Sequence, residues 1–255
     1  MKRRALLALA AGGALQWPSR AAQAVELPAL IAGARPSVLP VGTFSATDNP
    51  RFGFRGSGFV VGDGLLVVTN FHVLPPAAGA EGGPQMVVMT GRSEAALRRA
   101  TVVATDRLHD LAVLRLEGAP LPALPLAEAG TAREGQAVLL MGYPIAGVLG
   151  FAPVSHAGIV SSLVSAGLPA PSAAQLDARA VAQLRQGAFE LLQLDAVAYP
   201  GNSGGPLLEQ AGGRVIGIVN MGLVKGSRES ALSSPTGISY AVPVQYLHAL
   251  LREIR

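Results

Sequence analysis

The sequence predicts an all-β protein of two antiparallel barrels with one helix at its C-terminal end. Three observations carry this. Glycine (31 residues) and proline (19) are spread along the 255 residues, which favours many short strands joined by turns over a few long helices. Apolar runs of strand length recur from Ser37 to Val242. Only the last stretch, Val244 to Ile254, sets Leu247, Leu250, Leu251 and Ile254 at i, i+3, i+4 and i+7, the spacing of an amphipathic helix. Half of the residues are apolar, enough for a sizeable core, and 14% are charged, which excludes a disordered or tail-like chain.

The chain opens on a basic stretch, Lys2-Arg3-Arg4, followed by an apolar run from Ala5 to Leu15 that is shorter than the ~20 residues a bilayer span needs. Ala22-Gln23-Ala24 then offers small residues at the two positions that a signal peptidase reads. Residues 1–24 are therefore expected to be a secretory signal peptide, with a twin-arginine variant hinted at by Arg3-Arg4. This places the mature protein in the periplasm or outside the cell, with no stable membrane anchor after cleavage. The formal charge of +4 loses its meaning with the leader. Removing Lys2, Arg3, Arg4 and Arg20 leaves 16 basic against 16 acidic residues, so nothing argues for a nucleic-acid partner. There are no cysteines, which excludes disulfides, thiol catalysis and cysteine metal sites.

The elements follow in order. Glu26 to Gly33 reads as a short helix ended by Gly33 and Pro36. Ser37–Val41, Gly58–Val61 and Leu65–Thr69 read as strands, the last two joined by the hairpin signal Gly62-Asp63-Gly64. Met86–Thr90, Ala100–Thr105 and Leu108–Leu116 continue the series. Leu108–Leu116 puts Leu111, Val113 and the stem of Arg115 on one side, and Ala112 and Leu114 on the other. Gly118 to Gly135 is the weakest stretch and marks a boundary between a first barrel, residues 25–135, and a second, residues 136–255. In the second, Ala137–Met141, Gly158–Leu163, Leu191–Leu194, Pro206–Leu208, Val215–Asn220 and Ile238–Val242 read as strands. Ser172–Gln186, rich in Ala, Leu, Gln and Arg, reads as a helix.

Three places carry chemistry. Gly201-Asn202-Ser203-Gly204-Gly205-Pro206 surrounds a serine with glycines, as a loop must if backbone N–H groups are to converge on an oxyanion. The same composition also suits an ordinary turn. A serine hydroxyl needs a neighbouring base. Of four histidines, His248 sits in the terminal helix and reads as a surface residue, His156 has no obvious partner, and His109 precedes Asp110 in a polar stretch. His72 ends the strand Val67-Val68-Thr69-Asn70-Phe71 and is followed by Pro75-Pro76. Asp110 leads into an apolar strand, where a carboxylate is costly unless hydrogen-bonded; a solvated turn acid is the alternative.

Taken together, these segments resemble the chymotrypsin-fold (trypsin-like) serine peptidases, and within them the HtrA/Deg-type branch. Gly56-Ser57-Gly58-Phe59-Val60, Thr69-Asn70-Phe71-His72-Val73, Asp110-Leu111-Ala112-Val113-Leu114, Asp195 through Pro206, Gly217-Ile218 and Gly237 through Pro243 appear in the family's order. The resemblance implies two six-stranded barrels and a serine endopeptidase acting on protein or peptide substrates. It implies a triad of His72, Asp110 and Ser203, and an oxyanion hole from the N–H groups of Gly201 and Ser203 with Asn202 between them. It implies no metal and no cofactor, and leaves the oligomeric state open. By resemblance, Ala198, Asn220, Met221, Gly222 and Leu223 line the primary specificity pocket. None of them is acidic, so cleavage is expected after small or medium aliphatic residues rather than after Lys or Arg. A latent or inactive protease-fold protein with a binding or chaperone-like role is the alternative. An α/β-hydrolase esterase is disfavoured because its triad runs Ser, Asp, His. Two departures from the branch are expected. No PDZ domain follows Pro243, and the stretches Gly142–His156 and Ser165–Phe189 are expanded.

Overall fold

The computed structural model describes residues 26–76, 78, 83–91, 93–144, 150–165, 189–220 and 237–254. The expected leader and the expected helix Ser172–Gln186 lie outside them. Twelve strands form two closed six-stranded antiparallel barrels. The first contains β1 (Val38–Phe44), β2 (Phe52–Val61), β3 (Leu66–Asn70), β4 (Gln85–Met89), β5 (Leu97–Asp106) and β6 (Leu111–Leu116), in the order β1-β2-β3-β6-β5-β4. The second contains β7 (Ala137–Gly142), β8 (Val154–Ser165), β9 (Glu190–Asp195), β10 (Pro206–Glu209), β11 (Val215–Val219) and β12 (Ile238–Pro243), in the order β10-β11-β12-β9-β8-β7. Helix α1 (Leu27–Ala34) precedes the first barrel and α2 (Val244–Arg252) follows the second.

The strand alternation explains how the barrels join. Successive side chains of a strand point to opposite faces. Val60, Val67, Ala112 and Leu114 fill the first barrel together with Val41 and Val88. Their chain neighbours Phe59, Val61, Val68, Leu111 and Val113 belong instead to a continuous core with Val138–Met141, Leu192, Leu194, Leu207 and Ile218 of the second. Barrel 1 thus uses one face of β2, β3 and β6 to close on itself and the other to hold its neighbour. The expected split of Leu111 and Val113 from Ala112 and Leu114 is this division. The connecting segment straps the two together: Leu124 N–H donates to Val60 O (2.9 Å) and Ala127 N–H to Val215 O (2.9 Å). Helix α2 buries Val244, Leu247 and Leu250 in the shared core.

β2 and β8 outrun their sequence signals the furthest. β2 begins at Phe52, not Gly58, because β1 pairs along its whole length, from Val38 opposite Phe59 to Phe44 opposite Phe52. The glycines at 53, 56 and 58 have weak strand propensity, and only the neighbouring strand holds them extended. β8 runs from Val154 to Ser165, which carries His156 into a strand opposite Leu140.

Candidate active site

The site lies where the ends of β3 and β6 in barrel 1 meet the turn before β10 and the end of β11 in barrel 2. β3 stops at Asn70, and Phe71–Val73 make a single 3-10 turn, so His72 sits just beyond the strand rather than ending it. Asp110 closes the turn between β5 and β6 with φ 56°, the left-handed region that Asp tolerates better than most side chains. In that conformation both ends of the residue bind the His72 turn. Its carbonyl accepts from Phe71 N–H and from Asn70 Nδ2, each at 3.0 Å. Its carboxylate accepts from His72 N–H on Oδ1 (2.9 Å) and lies 2.6 Å from His72 Nδ1 on Oδ2. Asn220, just past β11, donates its amide to the same Oδ2 at 2.9 Å. Asp110 is only 3% exposed, and these donors are what make a buried carboxylate affordable there. A proton on Nδ1, bonded to Asp110, leaves His72 Nε2 as an acceptor.

The serine turn is bound to the same strand ends. Asn202 N–H donates to Tyr199 O (3.0 Å) and Gly205 N–H to Asn202 O (2.9 Å), which folds residues 199–205 tightly. Ser57 on β2 then fastens the turn to barrel 1. Its N–H donates to Ser203 O (2.8 Å) and its hydroxyl donates to Gly201 O (2.7 Å) while accepting from Tyr143 N–H (2.9 Å). Gly204, at φ 84°, packs so closely that a Cβ there would run into the Ser57 carbonyl and Thr69 Oγ1; one at Gly205 would run into the Met141 carbonyl. The glycines therefore let the turn lie flat against β2 and β3, beside the residue pair that leads into His72. Ser203 is 5% exposed. With the Gly201 carbonyl held by Ser57, the Gly201 N–H has no hydrogen-bond partner among the described residues. The Asn202 side-chain amide is buried without one.

The other histidines divide differently than expected. His109 is not a bystander: its Nδ1 lies 2.5 Å from Asp106 Oδ2, and its N–H donates to Asp106 Oδ1 (3.1 Å). Its ring stacks on Tyr246 of α2 (3.8 Å between centroids, 15°) and meets the edge of Phe189 (4.9 Å). Burial pushes the Asp106 carboxyl up, but hydrogen bonds from His109 outweigh it and hold the group below its usual range. His156 faces Tyr199 at 5.8 Å; its Nε2 is buried without a partner among the described residues, and burial lowers its pKa. His248 is half-buried rather than on the surface, with Nε2 2.8 Å from Ala127 O, tying α2 to the connecting segment. Burial also pushes the Tyr143 phenol to about 12; its hydroxyl donates to Val38 O across the barrels.

Of the residues expected to line the specificity pocket, Ala198 is buried and its N–H donates to Ser239 Oγ (3.0 Å). Asn220 is fully buried with its amide on Asp110, so its side chain supports the carboxylate. Met221, Gly222 and Leu223 lie outside the described residues. Sequence reasoning missed the roles of Ser57 and Asn220. The signal for Ser57 was present in Gly56-Ser57-Gly58, where flanking glycines mark a close backbone approach. Among the described residues no three His, Asp or Glu side chains converge as a metal site, and no helix is long and apolar enough to cross a membrane.

The family model of the trypsin-like peptidase domain matches residues 56–218, more than half of the chain, and includes Ser57, His72, Asp110 and Ser203. "Serine protease HTRA2, mitochondrial" of Drosophila pseudoobscura pseudoobscura is 32% identical over 197 residues, 77% of this chain and 38% of that protein. "Putative serine protease HhoA" of Synechocystis is 32% identical over 202 residues, 78% of this chain and 43% of that protein. The chain thus spans about two fifths of the length of these relatives. Among solved structures, the serine endoprotease from Yersinia pestis has a TM-score of 0.60 at 26% identity, covering 88% of this chain and 65% of that one. The HtrA-type protease AlgW with a decapeptide has a TM-score of 0.62 at 26% identity, covering 90% and 67%. Fold, family model and relatives agree: the chain belongs to the trypsin-like serine peptidases and is HtrA-like within them.

Proposed function

We propose that this protein is an exported serine endopeptidase that hydrolyses peptide bonds through Ser203, His72 and Asp110. The observation that carries the reading is the buried Asp110 carboxylate on His72 Nδ1, joined to a serine turn that Ser57 and Gly204 bind to the same strand ends. His72 Nε2 takes the Ser203 proton as Ser203 Oγ attacks the substrate carbonyl, and the charged imidazole is stabilised by Asp110. The Gly201 N–H, unpaired among the described residues, and the Ser203 N–H donate to the oxyanion. His72 then gives the proton to the leaving amine. Water, deprotonated by the same nitrogen, hydrolyses the acyl-enzyme and restores the Ser203 hydroxyl. Asn220 holds the second lone-pair direction of Asp110 Oδ2, which keeps the carboxylate aimed at His72.

Export rests on the basic, apolar and small-residue pattern of residues 1–24. The substrates are proteins or peptides, and the aliphatic preference rests on Ala198 and the absence of an acid among the residues expected at the pocket. A fluorophosphonate probe tests the chemistry: wild type becomes labelled, Ser203→Ala does not, and His72→Ala reacts far more slowly. Labelling that survives Ser203→Ala overturns the site. A peptide library cleaved after Lys or Arg overturns the specificity. Sequencing the N-terminus of the exported protein is expected to start at Val25.

A further inference from the structure

His72 faces a second feature that the chemistry above does not use. It lines a cavity of about 680 Å³ between the His72 turn with Pro75 and the end of β5. Among the described residues, Arg55 and Arg107 are the charged side chains that line this cavity beside His72, and no carboxylate does. The two arginines are held differently. Arg55 is half-buried and donates Nε to Val73 O and Nη2 to Leu74 O (3.2 Å), so it shapes the wall. Arg107 is exposed, sits in the β5–β6 turn three residues before Asp110, and carries its guanidinium over the Phe71 ring at 4.9 Å. It has no ion pair with a described residue. The ring contact orients the guanidinium while leaving its N–H edge for another partner, which lowers the ordering cost of binding one.

We infer that Arg107 is a specificity-determining residue that selects substrates with an acidic side chain near the scissile bond. His72 is the residue that this cavity shares with the proposed catalytic site, so a substrate held at Ser203 beside His72 has the cavity on the far side of that imidazole. A carboxylate there meets an oriented guanidinium in a wall that it shares with Arg55, Thr105, Val102, Val103 and Pro75. Lysine or arginine at the same place meets a like charge. The inference deepens the peptidase reading and rests on it.

The test compares cleavage of Val-rich reporter peptides carrying Glu at each of three positions on either side of the cleaved bond with Gln counterparts, by wild type, Arg107→Gln and Arg107→Glu. The Glu-over-Gln ratio of kcat/KM is expected to reach about fivefold at one or more positions, the scale of a partly exposed ion pair. It falls to about one in Arg107→Gln, drops below one in Arg107→Glu, and shrinks in high salt in wild type. A ratio of one at every position in wild type, or a ratio that persists in Arg107→Gln, overturns the inference. Thermal unfolding checks that the variants fold. If no peptide is cleaved and the fluorophosphonate probe does not label, the peptidase reading fails. The inference is then judged by fluorescence anisotropy of labelled Glu and Gln peptides on the Ser203→Ala chain, where equal affinities overturn it.

Discussion

Among the described residues, two histidine–aspartate pairs, whose aspartates stand four positions apart, look alike at the level of bonds. His72 Nδ1 lies 2.6 Å from Asp110 Oδ2, and His109 Nδ1 lies 2.5 Å from Asp106 Oδ2. In both, the histidine N–H also reaches the other carboxylate oxygen. The surroundings separate them. Asp110 is buried and takes a further bond from Asn220 on the second barrel, and its histidine stands beside a serine turn. Asp106 is partly exposed and bonds within one turn of chain. Its histidine is sandwiched against Tyr246 and Phe189, so the ring is occupied by packing. A histidine–carboxylate bond is therefore no mark of catalysis by itself. What distinguishes the pairs is what lies beyond the imidazole: the glycine-flanked serine turn in one case, an aromatic stack joining barrel 1 to α2 in the other.

Exchanging the damage between the pairs is the strongest way to break this contrast. His72→Ala is expected to lower peptidase kcat by about 10⁴-fold or more with little change in Tm. His109→Ala is expected to change kcat less than tenfold but lower Tm by roughly 3–6 °C, because the stack between barrel and helix is lost. Equal losses of activity at native Tm would make the two pairs one functional unit. Asp110→Asn should follow at about 10³- to 10⁴-fold, since the amide can favour the wrong imidazole tautomer, while Asp106→Asn leaves turnover within several-fold. Asn220→Ala removes a bond to a buried charge, and a loss of roughly tenfold in kcat/KM is expected; no loss would show that His72 alone aims Asp110.

The smallest effects are in pH. His109 holds the Asp106 carboxyl below its ordinary 3.8, so this pair stabilises the fold at and above that pH and the contribution is lost as pH falls through the lower, folded value. The Tm gap between wild type and Asp106→Asn should therefore close as pH falls below 3.8 and through the lower, folded value. Burial lowers His156, so the fold favours its neutral form. That contribution is full above 6.5 and is lost as pH falls through the depressed value. His156→Gln should flatten the decline of Tm below pH 6.5; a decline identical to wild type would show that His156 charges without cost.

The strands were legible because they are local: each apolar run of β-rich residues stands in the structure, and β1 through β12 follow the expected order. The N-terminal part of β2, from Phe52 to Ser57, was not, since Gly53 and Gly56 carry no strand signal and are held by pairing with β1. His72, Asp110 and Ser203 were legible as residue types in a known order, but the nature of His109 was not. Its partner Asp106 is three residues away, yet Tyr246 lies 137 positions downstream by number and joins it only when α2 docks.

The sequence by itself determined the class of fold, the order of the strands and the residue types able to perform acyl transfer, because these depend on composition, alternation and short spacing. Only the tertiary structure decided which donors satisfy the buried Asp110 carboxylate. It also decided that Ser57 fastens the serine turn, that Asn220 serves the carboxylate, and that Arg107 faces the cavity beside His72. Each of these depends on contacts between strands distant in the chain, and burial leaves a polar group no choice but the partner that the closed barrels bring to it.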